Sequence, residues 1–201
     1  MTNYFKISDG AITYLSKKDK KLGAAIKRIG VIKRPTEPLL SRGVIDSIIS
    51  QQISTRAALT VKERFYTLLH PFTIHTILNT DPLLIQKCGL SHRKVSYILA
   101  FVNSVNNKEI DLESLHALPN DEVIKVLTSI KGIGRWTAEM LLIFSLERQD
   151  IISDLDLGII RGLKRLYGHQ EISKALFTKY KNRYGRYASV ASLYLWELSV
   201  N

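Results

Sequence analysis

Residues 118–162 read LPNDEVIKVLTSIKGIGRWTAEMLLIFSLERQDIISDLDLGIIRG, and this stretch decides the fold. Asn120 follows Pro119 as a helix-capping residue, and Asp121 and Glu122 fall in the first turn, where the helix dipole favours negative charge. Val123, Ile124, Val126, Leu127 and Ile130 recur at helical spacing. Lys131-Gly132-Ile133-Gly134 then breaks the helix, and a second apolar helix is expected from Arg135 to Leu146. Glycine tolerates positive φ and brings no Cβ, so backbone amides around Gly132 and Gly134 can approach an anion closely. The helix that starts there turns its positive end toward the same anion. The chain lacks the lysine–serine pair and the preceding strand of nucleotide-binding loops, so a nucleic-acid phosphate suits the turn better. On the glycines alone, a helix–turn–helix corner with a glycine cap would be the default reading.

Beyond the turn stands an acidic cluster, Asp154-Leu155-Asp156, with Asp156 twenty residues after Trp136. IKGIGRWTAEMLL followed by DLDLGI resembles the helix-hairpin-helix (HhH-GPD) superfamily of DNA glycosylases, within it the 3-methyladenine DNA glycosylase II branch. The resemblance extends to residues 48–54 (IISQQIS) and 189–196 (SVASLYLW), and so covers most of the chain. It implies an all-α, two-lobed fold with the active site in the cleft between the lobes. The first lobe is expected from residues 1–36 packed with 160–201, the second from 37–159, with the helix-hairpin-helix at 121–146. Asp156 matches the family's catalytic aspartate. Its residue type and place before a helix also fit plain N-capping, and Asp154 is the chemical equivalent two residues earlier.

The same resemblance assigns the other site residues. Trp136 and Trp196, the only two tryptophans, match base-pocket positions, with Tyr187 and Tyr194 as further candidates. Each also reads as a core aromatic. Gln52 matches the side chain that enters the DNA stack where a nucleotide leaves, though a polar pair at a helix end needs no such role. Lys131, Gly132, Ile133, Gly134, Arg135 and Thr137 would contact DNA. Bifunctional members carry a lysine nucleophile on the second hairpin helix. Here Arg135-Trp136-Thr137-Ala138 occupies that region and no lysine follows until Lys164, so a monofunctional enzyme without lyase activity is expected. The family often has arginine before the last helix where this chain has Ala188.

The 201 residues carry 29 Lys and Arg against 18 Asp and Glu, a net charge of +11. Such an excess suits a polyanionic partner, or simply solubility. One cysteine, Cys88, excludes an internal disulfide and the four-cysteine iron–sulfur cluster of other superfamily members. The five histidines lack ligand spacing, so no side-chain metal site is expected. The resemblance implies at most a Na+ or K+ ion at the hairpin carbonyls of Ile130 and Ile133. No signal peptide or membrane-length apolar run is evident, which predicts an intracellular protein, and the expected DNA partner places it in the cytoplasm or with the nucleoid. A monomer acting on double-stranded DNA with damaged bases is expected.

Other helices are read from their start and stop signals: Ser8 and Asp9, a stop at Gly30, Ser54, Asp81-Pro82, a stop at Gly89, and Ser91. The prolines of Pro35-Thr36-Glu37-Pro38 mark a linker, and residues 174–186 mix Lys, Arg and Tyr. The expected function is excision of alkylated purines, 3-methyladenine first and 7-methylguanine as a further candidate, by base flipping at the start of base excision repair. The alternatives are a non-catalytic DNA-docking module and a glycosylase for deaminated or other damaged bases.

Overall fold

The computed structural model describes residues 2–200, and helices dominate it. In chain order they are α1 (Asp9–Lys18), α2 (Lys20–Ile29), α3 (Leu40–Ser50), α4 (Thr55–Leu68), α5 (Ile74–Leu78), α6 (Pro82–Lys87), α7 (His92–Asn106), α8 (Asn120–Ser129), α9 (Arg135–Phe144), α10 (Leu157–Tyr167), α11 (Lys174–Tyr184) and α12 (Ala188–Val200). The all-α reading holds, with one short strand pair beside the helices. Two-residue strands β1 (Asn3–Tyr4) and β2 (Pro35–Thr36) pair antiparallel, so the proline linker is partly tied down. Among the described residues no helix is long and apolar enough to cross a membrane.

Helix starts follow local side-chain chemistry. Ser8, Ser54, Asp81, Ser91 and Asp156 each accept a backbone N–H from the first turn they precede. The start of α8 differs from the sequence reading: Asn120 is its first residue and Pro119 the flanking one.

The chain divides into two compact units, one running to Pro38 and resuming at Leu142, the other from Leu39 to Leu141. The division therefore falls within α9 and not near residue 159, where the sequence placed it. Hydrogen bonds to two serines of α12 explain the difference. Ser189 Oγ donates to Arg148 O at 2.6 Å and accepts from Ile151 N at 2.9 Å. Ser189 N donates to Gln149 O at 2.9 Å, and Ser192 Oγ reaches Ile151 O at 3.3 Å. Residues 148–151 are thus laced to the last helix, and Asp156 follows in the same unit.

In this unit α12 is buried on nearly every side, as an all-round apolar helix should be. It crosses α10 so closely that a Cβ at Gly162 would lie 2.2 Å from Leu195 O. A second anchor is Asp19, 4% exposed, between α1 and α2. Its Oδ1 caps α2 through Leu22 N at 2.9 Å, and its Oδ2 accepts Tyr167 Oη and Arg183 Nη1, both at 2.6 Å. Tyr167 also bonds Tyr184 at 2.8 Å and stacks on Tyr180, so the Lys-Arg-Tyr segment of α11 is largely structural on this face. In the Leu39–Leu141 unit the core is Val44, Ile45, Ile48 and Ile49 of α3, Phe65 of α4, Ile98 and Phe101 of α7, and Leu127 of α8.

Burial by itself raises the Asp19 pKa, but the bonds from Leu22, Tyr167 and Arg183 and the guanidinium charge outweigh it and hold the carboxyl below its ordinary value. Because the folded value is lowered, this stabilisation is present at neutral pH and lost as pH falls through that value. Asp19→Ala should cost about 3 kcal/mol at pH 7, roughly 6–12 °C in Tm, by removing a cap and a buried charge partner. In thermal melts the gap between wild type and variant should close below about pH 4.

Candidate active site

Asp156 is the N-cap of α10, with φ −86° and ψ 109°, and its Oδ1 accepts Ile159 N at 2.9 Å. The side chain is 7% exposed, and the indole Nε1 of Trp196 donates to the same oxygen at 2.9 Å. An acidic cap normally needs only its helix. A second donor from forty residues away fixes the carboxylate in rotation as well as in place. The indole is itself held, with its ring stacked on Phe144 at 5.8 Å between centroids and 25° between planes. Glycine at 158 makes this possible, since a Cβ there would come within 2.8 Å of Trp196 Cδ1 and 3.0 Å of Asp156 Oδ1. Leu155 and Leu157 flank the buried carboxylate with exposed apolar side chains. Asp154 is half-buried two residues away.

The hairpin belongs to the other unit. Ile130 ends α8 in extended conformation, Ile133 N donates back to Ile130 O at 3.0 Å, and Gly132 has φ 89°. A Cβ on Gly132 would strike the Tyr97 ring at 2.5 Å, so glycine is required both by φ and by packing. At Gly134 the reason is different: a Cβ would meet nothing within 4 Å, leaving open space before the first turn of α9. Helix starts leave amides without intrahelical partners, and Gly134 keeps the approach to this one clear. Lys131 and Arg135 are exposed beside it, and Thr137 is half-buried. Gln51 Nε2 donates to Gly132 O at 2.6 Å, and the neighbouring Gln52 is exposed with φ 57°.

Of the four aromatic candidates, Trp196 lies against Asp156, while Trp136 is 45% exposed on the first turn of α9. The tyrosines have other occupations. Tyr194 is buried and donates its hydroxyl to Gly30 O at 3.1 Å, closing the end of α2. Tyr187 packs edge-on against Tyr14 at 5.3 Å under the Arg186 guanidinium. Sequence reasoning missed Gly158, Gln51 and Glu139. Glu139 is buried, accepts Arg135 Nε at 3.1 Å, and keeps a buried Oε2 without a hydrogen-bond partner among the described residues. The spacing of Arg135 and Glu139, four apart on one helix, was the available signal. Among the described residues no group of three or more His, Cys, Asp or Glu could hold a metal ion.

A mostly helical chain carries a glycine hairpin in one unit, open to an incoming anion, and in the other a buried, indole-oriented carboxylate at a helix start, suited to electrostatic chemistry. Comparison with known proteins gives the particular family. Residues 45–184 match the family of HhH-GPD superfamily base excision DNA repair proteins, and the chain belongs to it. It is 34% identical over 172 residues to DNA-3-methyladenine glycosylase 1 of Schizosaccharomyces pombe, covering 83% of this chain and 73% of that one. The solved DNA-3-methyladenine glycosidase of Bacillus halodurans is similar at TM-score 0.88 and 32% identity, covering 98% of this chain and 92% of that one. A Schizosaccharomyces pombe 3-methyladenine DNA glycosylase in complex with abasic DNA gives a TM-score of 0.75 at 30% identity, covering 94% and 95%.

Gly158→Ala should expel the indole from Asp156, the tighter of the two contacts its Cβ would make, and press on the Asp156 oxygen that caps Ile159. The Trp196 indole N–H resonance should move out of its hydrogen-bonded position in NMR spectra, with a stability loss of about 1–3 kcal/mol from overpacking. An unmoved resonance would contradict the steric reading.

Proposed function

We propose that this chain is a monofunctional DNA glycosylase that hydrolyses the N-glycosidic bond of alkylated purines in duplex DNA. One observation carries the reading: in a chain of this family, Asp156 is held in two directions by Ile159 N and Trp196 Nε1, which is more than a cap requires. The relatives named as 3-methyladenine glycosylases support the substrate class.

A glycosidic bond inside the stack is out of reach, so the target nucleotide must rotate out of the duplex. As the bond breaks, positive charge develops on the sugar. The Asp156 carboxylate, fixed before the reaction begins, stabilises that charge without reorganising and can orient the attacking water. N3- and N7-alkylated purines are cationic and leave readily, which reduces the need for a general acid on the base. Such a base stacks well on an electron-rich ring, and Trp136, exposed at the start of α9, is the residue assigned that contact. Trp196 acts chiefly through the carboxylate, because its N–H is committed to Asp156 and its ring stacks on Phe144.

The hairpin grips backbone phosphate through amides near Gly132 to Arg135, with Lys131 and Arg135 supplying charge and Thr137 a hydroxyl. A Na+ or K+ ion, if bound, would take the carbonyls of Ile130 and Ile133; Ile130 O already accepts one N–H and has a second lone pair to offer. Such an ion would add positive charge beside the phosphate. Arg135-Trp136-Thr137-Ala138 supplies no amine nucleophile on α9, so release of the base leaves an intact abasic strand.

On duplexes carrying single 7-methylguanine, hypoxanthine or ethenoadenine lesions, and on methylated DNA as a source of 3-methyladenine, strand breaks should appear only after alkali, with alkylated purines processed fastest. Breaks without alkali would defeat the monofunctional assignment. No base loss from any substrate would leave a DNA-docking module. Asp156→Asn should bind the same duplexes within a few-fold yet excise several-hundred-fold more slowly, a loss of about 3–4 kcal/mol. Near-wild-type excision by this variant would remove Asp156 from the mechanism.

A further inference from the structure

Helix α7 carries Arg93 and Lys94, with Tyr97 one turn on as helical neighbour of each, four and three residues away. Each ends on the Gln51–Gln52 corner or on the hairpin. Lys94 Nζ donates to Ile49 O at 2.9 Å and to Gln51 O at 2.6 Å. These carbonyls lie at the end of α3, where backbone acceptors have no intrahelical partner. Arg93 Nη2 reaches Gln52 Oε1 at 3.4 Å, and the Tyr97 ring occupies the space that a Cβ on Gly132 would need. Gln51 closes the loop by donating to Gly132 O at 2.6 Å.

This arrangement answers a local problem. Gln52 sits at φ 57°, a left-handed conformation that costs a non-glycine residue roughly 1–2 kcal/mol and persists only where the surroundings impose it. An ammonium group clamping the preceding carbonyls is a strong constraint, because a charged donor bonds more tightly than a neutral one. Burial, and then the neighbouring Arg93 charge, lowers the pKa of the Lys94 amine, consistent with an amine withdrawn from water to serve these acceptors. A cap for α3 alone would need none of the links to Gly132.

We propose that Lys94 is a positioning residue that fixes where Gln52 stands relative to the phosphate-binding hairpin, so that the side chain entering the DNA stack is set at a constant distance from the gripped backbone. The inference rests on the glycosylase reading, but its test does not require excision. The probe is a duplex with a tetrahydrofuran abasic analogue next to 2-aminopurine, whose fluorescence rises when its stacking is disrupted.

Wild type should bind this duplex in preference to an undamaged one and raise the fluorescence. Folded Lys94→Met should keep its affinity for the undamaged duplex within about twofold, yet lose about tenfold in lesion preference together with most of the fluorescence rise. Lys94→Arg, which keeps the charge and the donors, should restore at least half of both. Should Lys94→Met fail to fold, Gln51→Ala removes only the link to Gly132 and should show the same pattern at about threefold. Unchanged lesion preference in the folded variants overturns the proposal. So does an equal loss on both duplexes without rescue by arginine, or a wild type that raises no fluorescence. A wild type that disrupts the stack but excises nothing would instead sink the glycosylase assignment alone.

Discussion

The bond from the Trp196 indole to Asp156 Oδ1 is the constraint on which the unit formed by the terminal helices depends. It asks several things of the chain at once. Residue 158 must be glycine, or the indole cannot reach the carboxylate. Helix α12 must approach α10 closely enough for Trp196 to extend over its first turn, and Gly162 against Leu195 O permits that approach. The segment leading to Asp156 must be held to α12, which Ser189 and Ser192 do through the backbone of residues 148–151. A carboxylate so restrained loses the freedom to follow its charge partner, and that is what electrostatic stabilisation of a short-lived cation needs.

In the Leu39–Leu141 unit an equivalent economy holds. Helix α7 packs Tyr97 under Gly132, and Lys94 and Arg93 on the Gln51–Gln52 corner. The two glycines of the turn thus have separate causes. Gly132 is demanded by its φ and by an aromatic ring beneath it, while Gly134 faces open space, where only an incoming group would meet a Cβ.

What the sequence disclosed was what is local. Capping at Ser8, Ser54, Asp81, Ser91 and Asp156 links a side chain to a backbone amide two or three residues away, so residue type and position suffice to read it. The hairpin and the spacing to Asp156 were legible for the same reason, reinforced by the family resemblance. What it hid was long-range. Tyr194 read as either a pocket or a core aromatic, and nothing near it in sequence pointed to the bond from its hydroxyl to Gly30 O, a partner 164 residues away. The serines of α12 carried no signal of their own, yet they tie residues 148–151 to that helix in the unit that resumes at Leu142. Gly158 carried no signal, because its necessity arises from an indole thirty-eight residues further on.

The claim that Asp156 waits for a cationic sugar can be measured without any turnover. Binding of two duplexes should be compared, one with a neutral tetrahydrofuran in place of the target nucleotide and one with a pyrrolidine, whose protonated nitrogen imitates the charge of the breaking glycosidic bond. The wild-type protein should prefer the pyrrolidine duplex by about a hundredfold or more, and Asp156→Asn should lose nearly all of that preference. Equal binding of the two duplexes by the wild-type protein, or an undiminished preference in the variant, would contradict the account.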